Sequence, residues 1–301
     1  MPPAVLRRGF STTVHSLLEA RASRFPSKDI CRFEAQDVRW SIADLRKHSR
    51  AFAGGLINQG FVPGSSVLLV LPNNLERLAF ILGAAQAQAI CAVVDGTPTA
   101  EGIQRALEHS GARAVVVGRS AVAPLRKAVP ELETVSADGF NDAYPVVSSR
   151  FPNLRRAWHT GYGKESKISR VRDALLYNPI PDPLEKVIPN PDAPFFAMYS
   201  SNGSVIPNSL ATQAQVVSKA QKLARTNLSL SPEDRLLLST AGNPEASIVA
   251  ALACLDSCAQ LIVPTDPTKT DKLCIAEGVT SSYGEVPPPK NLAKSVTVAM
   301  M

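Results

Sequence analysis

Ser66-Val67-Leu68-Leu69-Val70-Leu71-Pro72-Asn73-Asn74-Leu75-Glu76-Arg77 decides the fold class. The run of Val and Leu after Ser66 leaves no polar face, so it reads as a strand covered on both sides. Pro72 ends it, and Asn73-Asn74 supply an N-cap for a helix over 75–88. A strand buried on both faces that hands over to a helix is one step of a parallel, helix-covered sheet.

The same alternation extends outward. Upstream, the stripe Leu17, Leu18, Ala22 predicts a helix over 12–23. Residues 30–33 and 38–40 read as a hairpin, and Ser41 caps a helix over 42–59 that Gly60 closes. Downstream, strands are expected at 90–94 and 114–117, and helices at 99–110 and 121–128. Residues 141–192 break the pattern: they are rich in Pro and Arg and lack a long apolar period, as a linker or extended interaction segment would. Alternation resumes with strands at 195–199, 235–239, 261–263 and 279–283 and helices at 210–225, 246–256 and 269–277. The expected division is a presequence-like segment 1–10, a first α/β subdomain 11–140, a basic Pro/Arg-rich linker 141–192, a second α/β subdomain 193–290 and a tail 291–301. The expected fold class is α/β, with two open, mostly parallel sheets flanked by helices.

Composition narrows the function. With 45% hydrophobic and 19% charged residues over 301 positions, the chain can bury a large core and is not of the disordered class. The most apolar stretch, 78–94, is short and interrupted by Gln86 and Gln88, so the protein is expected to be peripheral to a membrane at most. The formal net charge is +6. The excess collects at the N-terminus and in Arg150, Arg155, Arg156, Lys164, Lys167, Arg170 and Arg172, which are candidate partner contacts. No aromatic residues interleave regularly with them, so nucleic acid is not the expected partner. Cys31, Cys91, Cys254, Cys258 and Cys274 form no C-x-x-C pair and have no nearby His, so they read as small buried residues and no metal site is expected. His15, His48, His109 and His159 are scattered, and none stands in a nucleophile motif.

The first twelve residues carry Arg7 and Arg8, no acid, and otherwise small, polar or apolar side chains, the composition of a matrix-targeting presequence. Arg8-Gly9-Phe10 before Ser11 resembles the site cut by the matrix processing peptidase. The expected location is the mitochondrial matrix or the matrix face of the inner membrane.

Several segments, in order, resemble the large N-terminal domain of adenylate-forming acyl-CoA synthetases. Trp40-Ser41-Ile42-Ala43-Asp44-Leu45 is similar to the family's aromatic-Thr/Ser-x-x-Glu-Leu helix start. Gly60-Phe61-Val62-Pro63-Gly64 and the 67–73 run are similar to its Gly…Pro-Gly turn and following strand. Leu107-Glu108-His109-Ser110-Gly111-Ala112 resembles a later helix end. Leu230-Ser231-Pro232-Glu233-Asp234-Arg235 resembles the approach to a strand in its second part. The resemblance covers roughly 12–120 and 190–290.

The family activates a carboxylate with ATP, and its phosphate loop resembles Tyr-Thr-Ser-Gly-Thr-Thr-Gly-x-Pro-Lys-Gly. Glycines there let backbone N–H groups approach phosphate, hydroxyls donate, and Lys supplies positive charge. Here the loop reads Tyr199-Ser200-Ser201-Asn202-Gly203-Ser204-Val205-Ile206-Pro207-Asn208-Ser209. Asn202, Val205 and Ser209 replace three family glycines, and Asn208 replaces the Lys. Val at a position needing φ > 0 is expected to be strained. Gln213 or Ala214 stands where the family has a His, and Ala241-Gly242-Asn243 where it often has an aromatic-His pair. The sequence given ends at Met301 before the adenine, ribose and catalytic-Lys segments, so the resemblance implies a fold lacking the C-terminal domain. Gly161-Tyr162-Gly163-Lys164-Glu165-Ser166 imitates the family's adenine segment, but it precedes the phosphate loop and has no Thr.

These readings give a degenerate relative with no catalytic residue and no cofactor. It is expected to serve as a structural accessory subunit of a large mitochondrial assembly, with other subunits as partners. A respiratory-chain complex is favoured over association with the mitochondrial ribosome. The alternative is a nucleotide- or acyl-CoA-binding module, with a small-molecule ligand in the cleft near Asn73, Asp95 and Ser200.

Overall fold

The computed structural model describes residues 12–94, 96–133, 145–206, 209–240, 243–284 and 294–297. The chain runs α1 (Val14–Arg24), β1 (Asp29–Phe33), β2 (Val38–Ser41), α2 (Ile42–Asn58), β3 (Ser66–Val70), α3 (Leu75–Gln86), β4 (Ile90–Val94), α4 (Ala100–Ser110), β5 (Ala114–Val117) and α5 (Val122–Ala128). It continues with β6 (Arg156–His159), β7 (Ser169–Arg170), β8 (Pro194–Tyr199), β9 (Ala211–Thr212), α6 (Gln213–Lys222), β10 (Arg235–Ser239), α7 (Pro244–Ser257), β11 (Gln260–Val263), α8 (Asp271–Glu277), β12 (Ser281–Gly284) and β13 (Lys294–Thr297). A π-helical turn, Leu223–Asn227, extends α6. No described helix is long and apolar enough to cross a membrane.

Two mostly parallel sheets result, as expected. One has the order β7-β6-β5-β3-β4-β8-β9 and the other β13-β12-β10-β11-β1-β2. Alternate residues of β3 face different cores. Val67 and Leu69 join α1, α2, α3, α6 and α7 in the large core between the sheets, whereas Leu68 and Val70 pack with α4 and α5 outside. The middle layer explains α3, which is buried from Arg77 to Gln86 and so shows no polar face.

Two expectations are corrected. The sheets are not the two sequence halves: β1 and β2 pair into the sheet of β10 and β11, and β8 pairs with β4. Alternating hydrophobicity reports burial but not the identity of a strand's neighbour. Nor are residues 145–192 a free linker. β6 pairs parallel with β5, and Phe151, Leu154, Ala157 and Ile168 are buried in the outer core. The segment then straps across α2. Leu176 N–H donates to Ala51 C=O at 3.0 Å. A Cβ on Gly55 would lie 2.2 Å from Ala174 O, so only glycine admits the strap there.

Candidate functional site

β3, β4 and β8 are parallel neighbours, so their carboxyl ends bring Asn73, Gly96 and Ser200 to one edge of the seven-stranded sheet. Asp95 lies outside the described residues. Asn74 caps α3 by accepting the Arg77 N–H at 2.9 Å, and Thr99 caps α4 by accepting the Gly102 N–H at 3.0 Å. The loop after β8 packs against the start of α4.

The loop's hydrogen bonds are directed inward. The Ser204 N–H donates to Asn202 Oδ1 at 3.0 Å, and Ser200 Oγ donates to the same oxygen at 2.6 Å. The Ser200 N–H donates to Ser204 O at 2.9 Å and the Gly203 N–H to Ser200 O at 2.8 Å. The Asn202 carboxamide oxygen thus collects donors that an anion would otherwise require. Gly203 is left-handed, with φ +80, and packs against α4, where a Cβ would stand 2.2 Å from Gly102 O. Val205 avoids the strain expected of it. It is not among the residues with positive φ and instead bridges to Tyr199 in extended geometry. Ser209 is buried and bonded to Met198. Pro207 and Asn208 lie outside the described residues, as do Ala241 and Gly242.

Three neighbours of the loop were not legible as site residues. Arg105 Nη1 donates to Asn202 O at 3.4 Å. The His109 Nδ1 and Tyr199 hydroxyl are 3.0 Å apart, and burial pushes the Tyr199 phenol above its usual value. A Cβ on Gly102 would approach Ser201 O to 2.1 Å. A glycine in the first turn of an otherwise regular helix is a sequence signal of such contact. Gln213, expected where the family has a His, is wholly buried and structural: Oε1 accepts the Val14 N–H at 3.1 Å and Nε2 donates to Ala85 O at 2.9 Å.

The basic candidates spread over both ends of β6 and do not converge on the loop. Arg150 pairs with Glu108, and Arg155 donates to the carbonyls of Pro152 and Leu154. Arg156 Nε donates to Gln59 Oε1 at 2.8 Å and Lys167 Nζ to Glu131 O at 3.2 Å. Arg170 and Arg172 flank Asp173, and Arg172 also covers the exposed Tyr162 ring. Lys164 is exposed in the loop that imitates the adenine segment. Among the described residues no group of three His, Cys, Asp or Glu could hold a metal. A groove of about 470 Å³, lined by Pro63, Gly64, Gln88 and residues 188–191, opens at the amino ends of β3, β4 and β8, the edge opposite the loop.

Comparison with known proteins agrees with this fold. The profile of the AMP-binding enzyme family matches residues 18–280. The putative acyl-CoA synthetase YngI of Bacillus subtilis is 24% identical over 75% of this chain and 42% of its own length. The mitochondrial medium-chain acyl-CoA ligase ACSF2 of Danio rerio is 26% identical over 48% of this chain and 24% of its own. The chain therefore spans less than half the length of these relatives. Among solved structures, a putative long-chain-fatty-acid CoA ligase from Rhodopseudomonas palustris superposes with a TM-score of 0.72 at 17% identity, covering 90% of this chain and 62% of that one. MbtA of Mycobacterium smegmatis gives 0.70 at 21% identity, covering 90% and 47%. With the family profile matching most of its length, the chain belongs to the AMP-binding enzyme family.

Proposed function

We propose that this chain is a catalytically silent member of its family that serves as a structural subunit of a mitochondrial assembly. The observation that carries the silent part is the closed loop, in which Asn202 Oδ1 receives the Ser204 N–H and the Ser200 hydroxyl. Nucleotide binding there would have to break both bonds and supply an N–H cradle from a loop in which Gly203 alone, among the described residues, is left-handed. The replacement of the family's loop lysine by Asn208 removes the cation that would repay that cost.

The subunit part rests on the surface of the 145–192 segment. It is strapped onto α2, yet it exposes Tyr162 and Ile180 by 85% and 99%. Large apolar groups held outward on an ordered strap suit contact with another protein. The mitochondrial placement rests on the Arg7, Arg8 and Phe10 pattern of the leader-like segment.

Native isolation of the tagged protein from mitochondria tests the reading. Recovery in fixed stoichiometry with one large assembly is the expected result; recovery alone at monomer size would refute the subunit role.

A further inference from the structure

We infer that the amino-end face of the seven-stranded sheet, away from the family's nucleotide loop, docks on an anionic phospholipid surface. β6, β5, β3, β4 and β8 are parallel, so the loops that precede them share one edge. These loops are physically continuous. The Arg155 N–H donates to Arg113 O at 2.8 Å, and Arg156 Nε reaches Gln59. Beyond them, the Gly64 N–H donates to Gln88 O at 2.8 Å, and the Asn190 N–H donates to Gln88 Oε1 at 3.2 Å.

Two features of that face point to lipid. The first is charge. Arg113, Arg150, Arg155 and Arg156 stand along the β5–β6 part, while the loops 59–65, 87–89, 111–113, 145–155 and 188–193 hold Asp192 as their acid. Glu108 engages Arg150, but Arg155 is exposed and bonded to main-chain carbonyls, which leave its charge uncancelled. The second is apolar tips. Val62, Val147 and Ile188 project from three different loops with 60%, 79% and 86% of their surface exposed, and Ile188 lines the proline-rich groove. Arginines that meet phosphates, with separate aliphatic tips that enter the acyl boundary, are the two signals that together hold a peripheral protein on a charged bilayer. A protein partner would instead favour one contiguous apolar patch with a polar rim. The inference does not depend on the silence of the nucleotide loop, because the two lie on opposite edges of the sheet.

Co-sedimentation of the purified full chain tests it, using vesicles of phosphatidylcholine alone or of phosphatidylcholine and phosphatidylglycerol in equal mass. Binding to the anionic vesicles alone, weakened by salt, is expected. Arg150→Gln with Arg155→Gln should lower partitioning about fivefold per arginine removed. Val147→Ser with Ile188→Ser should lower it at unchanged salt dependence. Both pairs are exposed, so the thermal midpoint should be retained. Lys164→Gln with Arg172→Gln, toward the other edge, should bind like the parent. Failure of the folded chain to bind anionic vesicles overturns the inference and leaves an acidic protein surface as what the arginines face. An equal loss in the Lys164/Arg172 pair also overturns it, by showing general charge attraction.

Discussion

Ser209 and Met198 are joined in both directions: the Met198 N–H donates to Ser209 Oγ at 3.0 Å, and that hydroxyl donates back to Met198 O at 3.2 Å. The residue stands where the resembling loops have glycine. In this chain a side chain that would crowd a phosphate has become a buried clamp tying the end of the loop to β8. Ser209→Gly should therefore destabilise by about 1–2 kcal/mol, through two lost hydrogen bonds and greater backbone freedom in the unfolded chain. Urea unfolding should show a lower midpoint at unchanged slope. No change would mean that the clamp contributes nothing.

Gly102→Ala should reverse the usual helix rule. Alanine normally gains up to about 1 kcal/mol over glycine within a helix. Here the new methyl would stand 2.1 Å from Ser201 O, and the loop or α4 would have to move. A loss of about 1–3 kcal/mol is expected. Gly163→Ala, with nothing within 4 Å of the added carbon, is the control and should stay within about 0.5 kcal/mol.

Leu154→Ala distinguishes a structural segment from a linker. Leu154 is 1% exposed in the core beneath α4 and α5. A loss of about 2–5 kcal/mol is expected for a core leucine, against about 0.5 kcal/mol or less for a residue in a free linker. Denaturant midpoints decide between them.

The misreading of that segment has a physical cause. β6 is four residues long and begins with Arg156; β7 is two residues long. Neither presents enough apolar positions to reveal a period; β6 is held by pairing with β5, far off in sequence, and β7 by pairing with β6. The apolar β3 and the capped α2 were legible because the Val/Leu run and Ser41 act locally. The loop's substitutions were legible as types. That Asn202 would turn its oxygen onto Ser200 and Ser204 was not, because it depends on the path set by Gly203 against Gly102.

His159 should make stability fall in acid. Its Nδ1 accepts the Gly161 N–H at 3.1 Å, so Nε2 carries the hydrogen and is buried without a partner. Burial, the largest influence, holds its pKa below the ordinary value, with Glu165 opposing and Arg170 adding to the depression. The unfolded chain then takes up the proton first. The contribution is fully present above the unfolded value of about 6.5 and is lost as pH falls through it. His48, depressed by burial and by Lys47, acts in the same direction. His159→Asn retains an acceptor for Gly161 and should flatten the pH dependence of the urea midpoint below about 6.5. An unaltered slope would remove His159 from the account.

The central claim is that the Asn202-closed loop does not take ATP. The most direct measurement is the thermal midpoint of the purified chain with and without millimolar Mg-ATP. The same midpoint is expected in both. A ligand present at a hundredfold its Kd adds about 2.7 kcal/mol to stability, so binding in the family manner would raise the midpoint visibly. Such a rise, abolished by changing Ser204, would contradict the account.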